Sequence, residues 1–423
     1  CIRDRQDIYR RLGPSVWTGF GRMKQMKRIT LLILLVISSL SLSAVERDSS
    51  AFVHRIGVDL RPALILQQND FFRGTNRYGR PMVASGSAHL QYSFMFPADS
   101  RLGKLYPTAY QGIGLAAYTF MNHVELGTPA ALYVFQGAEI ARFPYGLSLD
   151  YEWNFGVSFG WHPYSKDEGQ PGANPNNLVV GTKTNAYING ALMLSWRPKP
   201  GWSLSAGLDY THFSNGDTTF PNSGVNTIGL RVGATKAFGG LLPEERRTWG
   251  VFDGPADEIQ ERFVTDVVIC GAWNEEMVTY MDEEIRVDGK FGILALHVNP
   301  LYRLTRFLRV GASLDIQFSE GMNIQNHIAG KNPDHIKFYR PPLLEQLGTG
   351  LSLRAELEMP LFSVNFGVGH NFIYKGKELG GFYNILSLKA FVTDRIFLNI
   401  GLDITYTEAS NNLLLGMGWR FGK

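Results

Sequence analysis

From residue 52 onward the chain alternates apolar and polar side chains in stretches of about 9–15 residues, separated by polar turns bearing Gly and Pro. Successive side chains on a strand point to opposite faces, so each stretch is a strand with one apolar and one polar face. No continuous apolar run after residue 44 reaches the roughly 20 residues of a membrane helix. Repeated alternation rich in aromatics and Gly is the pattern of an all-β, transmembrane outer-membrane β-barrel. Strands are expected at 52–67, 82–96, 109–122, 129–141, 147–161, 186–197, 202–215 and 224–238. A second set is expected at 263–276, 283–297, 306–319, 347–358, 361–374, 382–393, 396–407 and 411–421. Two repeats of about eight antiparallel strands build either two small barrels or one sixteen-stranded barrel.

The N-terminal region stands apart. Lys24, Lys27 and Arg28 precede an apolar run from Ile29 to Ile37, and small residues continue to Ala44. That is the pattern of a cleaved secretory signal peptide, with the start expected at Met23 or Met26. Residues 1–44 are therefore upstream residues plus signal. Removing their eight Lys/Arg and two Asp/Glu changes the net charge from +3 to −3, which leaves no nucleic-acid partner to argue for. Of the two cysteines only Cys270 remains, within an alternating segment, and it reads as a small apolar residue.

The two strand sets echo each other in order. YINGALMLSWRPKPG returns as FYNILSLKAFVTDR, and YEWNFGVSFGW as FSVNFGVGHNF. Gly207-Leu208-Asp209 matches Gly401-Leu402-Asp403, an offset of about 190 residues. The expected domains are a barrel repeat over 45–240, an aperiodic linker over 241–262, and a second repeat over 263–423.

One strand breaks the barrel grammar at its end. Trp202, Leu204, Ala206, Leu208 and Tyr210 share an apolar parity, and His212 and Ser214 continue it. After a turn punctuated by Pro221-Asn222-Ser223-Gly224, Asn226 shares the apolar parity of Ile228, Leu230 and Val232. A base, a hydroxyl and an amide thus converge on an apolar surface, where an unpaired polar group costs free energy. In the second repeat Tyr406 and Glu408 occupy the positions of His212 and Ser214, so the fold does not need the pair. The nine histidines are dispersed and show no pair at metal-ligand spacing, so no metal or cofactor is expected.

These residues resemble a known family. HFSN at 212–215, PNSG six residues after Asn215, and the Gly-rich strand that follows are similar to the PagL-type lipid A 3-O-deacylases, also called acyloxyacyl hydrolases. The specific match covers about 204–238, and the compatible strand pattern covers 48–240. The resemblance implies an eight-stranded outer-membrane barrel that acts on lipid A acyl chains of lipopolysaccharide. It implies Ser214 as nucleophile, His212 as general base and Asn215 as oxyanion contributor, on the barrel's outer wall. The family pattern carries a Glu where this chain has Asn226. An amide oxygen can accept the imidazole N–H and fix its tautomer, but does not stabilise the imidazolium. In serine proteases an Asp-to-Asn change at the corresponding position lowers turnover about 10⁴-fold. Two other readings remain open here: a porin-like channel, and a catalytically inactive lipid-binding barrel.

Overall fold

The computed structural model describes residues 48–166, 172–248, 262–332, 335–376, 380–405 and 412–422. The signal-peptide segment, most of the expected linker, and Tyr406 and Glu408 lie outside the described residues.

Eight antiparallel strands form the first sheet: β1 Val53–Ile65, β2 Ala84–Met95, β3 Tyr110–Thr119, β4 Gly127–Arg142, β5 Leu147–Trp161, β6 Thr184–Lys199, β7 Trp202–Ser214 and β8 Val225–Gly239. Each strand pairs with its sequence neighbours, and β1 pairs with β8, so the barrel closes. Closure leaves no strand edge unpaired, which is what a sheet in hydrocarbon requires.

The second half repeats this plan with additions. Its barrel uses β9 Phe263–Asn274, β12 Phe291–Arg303, β13 Leu308–Ser319, β16 Leu347–Met359, β17 Phe362–Ile373, β18 Gly381–Phe391, β19 Ile396–Thr405 and β20 Asn412–Phe421, with β20 closing on β9. Two hairpins, β10 Met277–Tyr280 with β11 Glu283–Arg286 and β14 Ile328–Asn332 with β15 His335–Phe338, stand outside it. Each echoing segment pair in the sequence occupies the same ordinal strand of its barrel: β5 with β17, β6 with β18, β7 with β19. Two barrels form, not one of sixteen strands.

The strand expected at 283–297 needs correction. Its first residues pair back onto Met277–Tyr280 across Met281 and Asp282, both at positive φ (52° and 63°), and the barrel strand starts only at Phe291. Two consecutive positive-φ residues make the tight two-residue turn whose twist suits a hairpin. The β14–β15 hairpin was likewise not expected. A small cluster of Val278, Val287, Phe291, Ile324 and Ile336 packs the two hairpins together.

Alternation has the expected physical result. Val58, Leu60, Leu90, Leu115, Leu208 and Leu230 point outward and are exposed. Their inward neighbours form a buried ionic network. Arg61 donates to Asp59 (2.6 Å) and Asn189 (2.9 Å), and lies 3.3 Å from Asp209. Arg231 donates to Glu152 (2.7 Å), Gln91 (3.0 Å) and Asp59 (3.1 Å). Ion pairs out of water persist when additional hydrogen bonds such as these offset the cost of desolvating them. The second barrel does the same: Arg420 holds Asp266 (2.7 Å), Lys389 bonds Asp266 (2.7 Å) and Glu356, and Asp315 accepts from His297, Ser313, Ser352, Arg354 and Tyr383. Cys270 is buried in this interior.

The described part of the expected linker is no mere spacer. Leu242 joins the first barrel's core cluster, and the buried Arg246 donates to the carbonyls of Phe96 (2.9 Å) and Leu241 (2.8 Å). It lies at the rim that carries the β2–β3, β4–β5 and β6–β7 connections, opposite the rim that carries the end of β7.

Candidate active site

The site lies at the open end of the β7–β8 hairpin. The ladder register places His212 directly opposite Asn226. Cross-strand partners project from the same face, and Ser214, two residues on, shares it. That face is the one bearing the exposed Leu204, Leu208 and Tyr210, whereas Asp209, Thr211 and Phe213 are buried toward the interior. Parity therefore sets the three side chains on the outer face of the barrel.

Their contacts form a relay. His212 Nδ1 lies 2.6 Å from Asn226 Oδ1, and His212 Nε2 lies 2.9 Å from Ser214 Oγ. Tyr210 Oη donates to the same Asn226 Oδ1 at 2.6 Å, and Asn226 Nδ2 donates to Gln68 Oε1. With Asn226 Nδ2 committed to Gln68, its Oδ1 is the acceptor facing the imidazole. Nδ1 must then carry the proton, and Nε2 is left with a lone pair directed at the Ser214 hydroxyl. The three groups together have the nucleophile–base–orienter geometry of covalent catalysis.

Two of these partners escape a reading of the motif. Tyr210 carried a usable signal, since it shares parity with His212 two residues earlier. Gln68 did not: it follows β1 and reaches Asn226 only because β1 closes the barrel against β8.

Asn215 is not brought to Ser214 Oγ. Its amide donates to Thr219 O (2.8 Å), and its backbone N–H donates to Asn222 Oδ1 (2.9 Å). Asn222 in turn donates to Asp217 Oδ1 at 3.0 Å, so the Asn of the PNSG turn ties both ends of the loop together. Burial pushes the Asp217 carboxyl above the usual carboxylate range, against the Asn222 hydrogen bond. Asp217 thus faces the loop, and Asp209 belongs to the interior network. Gly224 closes the site from above. Its φ is +70°, and a Cβ there would lie 2.9 Å from Phe213 O and 3.3 Å from His212 Cε1. Only glycine fits that backbone and that approach.

A family model described as lipid A 3-O-deacylase (PagL) matches residues 75–235, and one described as acyloxyacyl hydrolase, C-terminal domain, matches residues 265–423. The first span holds His212, Ser214, Asn215 and Asn226, and the second corresponds to the second barrel. No curated relative matched. The siderophore receptor PirA from Pseudomonas aeruginosa is 9% identical over 89% of this chain and 82% of its own, with a TM-score of 0.24. The outer membrane protein Omp33 from Acinetobacter baumannii is 8% identical over 88% of this chain and 99% of its own, with a TM-score of 0.16. Likenesses this remote decide nothing about this chain. The two family models, one on each barrel, do: the chain belongs to the PagL-type lipid A 3-O-deacylase/acyloxyacyl hydrolase family of outer-membrane β-barrels.

Proposed function

We propose that the chain removes an ester-linked acyl chain from lipid A with Ser214 as nucleophile and His212 as general base, on a wall of the first barrel that faces lipid. The observation that carries this reading is His212, bonded at once to Asn226 and Ser214 on the outer face of β7. A serine hydroxyl is a weak nucleophile until a positioned base takes its proton. His212 Nε2 removes that proton as Oγ bonds to the ester carbonyl carbon. Collapse of the tetrahedral intermediate breaks the bond to the sugar oxygen, which leaves with the proton held on Nε2. Water, deprotonated by His212 in the same way, then releases the fatty acid and restores Ser214.

Asn226 holds the tautomer, and Tyr210 and Gln68 hold Asn226. Because an amide carries no charge, the imidazolium is stabilised less than it would be beside a carboxylate, and turnover is slow for such a site. Asn215 supports the oxyanion in this reading, but its amide must first leave Thr219 O as substrate seats. Loss of one oxyanion donor typically costs about 10²–10³ in kcat, so that release affects rate strongly. A site on the outer face selects esters already lying in the bilayer. The second barrel, a repeat without the His/Ser pair, does not carry out chemistry in this reading.

Mass spectrometry of lipid A from cells expressing the mature chain tests the proposal. Loss of one acyl chain with the wild type, and none with Ser214→Ala, is expected. Unchanged lipid A in both, with both barrels folded in the outer membrane, would reject it.

A further inference from the structure

The loop from Asn215 to Gly224 is held on two sides. Its own barrel supplies the Asn222 and Asn215 contacts, and Gly224 N–H donates to Val179 O at 3.1 Å. The other side meets the second barrel. Glu275, the residue after β9, is 8% exposed, and its Oε2 accepts the backbone N–H of Phe220 at 2.9 Å. Its own backbone N–H donates to Asp217 O at 3.3 Å. Leu413 on β20 stands where a Cβ on Gly216 would be 2.5 Å away, and Lys290 Nζ lies 3.5 Å from Thr219 Oγ1. Every contact falls between residues 216 and 220, the stretch separating Ser214 and Asn215 from Asn222.

We infer that the second barrel serves the first as a clamp on its catalytic loop, with Glu275 as the positioning residue; this deepens, and rests on, the deacylase reading. A carboxylate on a backbone N–H makes a charge-assisted hydrogen bond, stronger than a neutral one. Held at Phe220, the chain delivers Asn222 two residues later to the Asn215 N–H, beside Ser214. Without that anchor, Asn222 and Gly224 lose the fixed backbone from which they border Ser214 and His212. The apolar wall of β7 that would receive an acyl chain is unaffected. Release of the clamp should therefore reduce turnover and spare substrate binding. It also gives the second barrel a purpose that requires no catalytic pair of its own.

The test uses the full-length chain in detergent micelles and compares wild type, Glu275→Ala, Glu275→Asp and Glu275→Gln. Hydrogen–deuterium exchange of residues 215–224 is read beside hydrolysis of purified lipid A. Glu275→Ala is expected to speed exchange in that segment and to lower kcat by about 10- to 100-fold with KM nearly unchanged, the size of effect a small misplacement of reacting groups produces. Glu275→Asp, which draws the carboxylate back by about 1.5 Å, should do the same to a smaller degree even if the alanine variant folds poorly. Glu275→Gln retains an acceptor oxygen but makes only a neutral hydrogen bond to the Phe220 N–H, and should recover protection and rate in part, above the alanine variant. Unchanged exchange in Glu275→Ala and Glu275→Asp, or an unchanged kcat in an active chain, would overturn the clamp. No turnover in the wild type would remove the deacylase reading and with it the catalytic meaning of the contact, while exchange alone would still decide whether Glu275 anchors the loop.

Discussion

At the scale of single residues, the site depends on how closely Gly224 approaches His212. An alanine there would need a left-handed backbone costing about 1–2 kcal/mol, and would press on His212 Cε1 from 3.3 Å. Because the Cβ would also lie 2.9 Å from Phe213 O and force the backbone to shift, Gly224→Ala is expected to be less stable by more than that backbone cost and to lose most of its deacylation, measured as kcat on lipid A. Asn226 offers the opposite experiment. Asn226→Glu places a carboxylate on His212 Nδ1, and kcat should rise by about 10- to 10⁴-fold, since the reverse change in serine proteases costs that upper figure. A fall in kcat would mean that Tyr210 and Gln68 are tuned to an amide and cannot seat a carboxylate. Much of this was legible in the sequence, because strand parity alone sets His212, Ser214 and Asn226 on one face. The hydrogen bonds of Asn215 were not legible, because a residue beside a nucleophile looks the same whether its amide faces substrate or its own turn.

The elements explain why a polar triad can stand on an apolar wall. Strand ends are set by closure and by turns, and the ionic network inside the first barrel keeps the ladder in register. Asp59 bridges Arg61 and Arg231, so Asp59→Ala leaves two buried guanidinium groups short of a partner. Breaking a buried pair costs about 3–5 kcal/mol, and the low end is expected because Arg61 retains Asn189 and Arg231 retains Glu152. Denaturant unfolding in micelles measures this, and a change below about 1 kcal/mol would show the network to be dispensable. Most strand positions could be read from period-two alternation. It failed between β9 and β12, where Glu284, Arg286 and Asp288 alternate with Ile285 and Val287 as in a barrel strand. What redirects that segment is the pair of positive-φ residues Met281 and Asp282; with no glycine or proline there, Asp282 alone marked the turn in the sequence. The interior ion pairs also escaped pattern reading, because polarity marks a face without naming partners.

For the whole molecule, two eight-stranded barrels filled with side chains replace the open lumen that sixteen strands would enclose. A void of about 20 Å³ beside Arg231 and one of about 30 Å³ beside Arg55, Glu139 and Arg197 have room for a water or two, not for an open lumen. Purified protein in planar bilayers is accordingly expected to show no steady unitary conductance, and a reproducible open level would favour the channel reading. The proposed nucleophile, Ser214 with His212 as its base, is half-buried on the outer face of the first barrel. A long-chain alkyl fluorophosphonate tests it most directly, because it bonds irreversibly to an activated serine and partitions into micelles with lipid substrates. Peptide mass spectrometry should find the adduct on Ser214 in the wild type, and none in His212→Ala, with the barrel still folded. Labelling that persists in His212→Ala, or that falls on a different serine, would contradict the account.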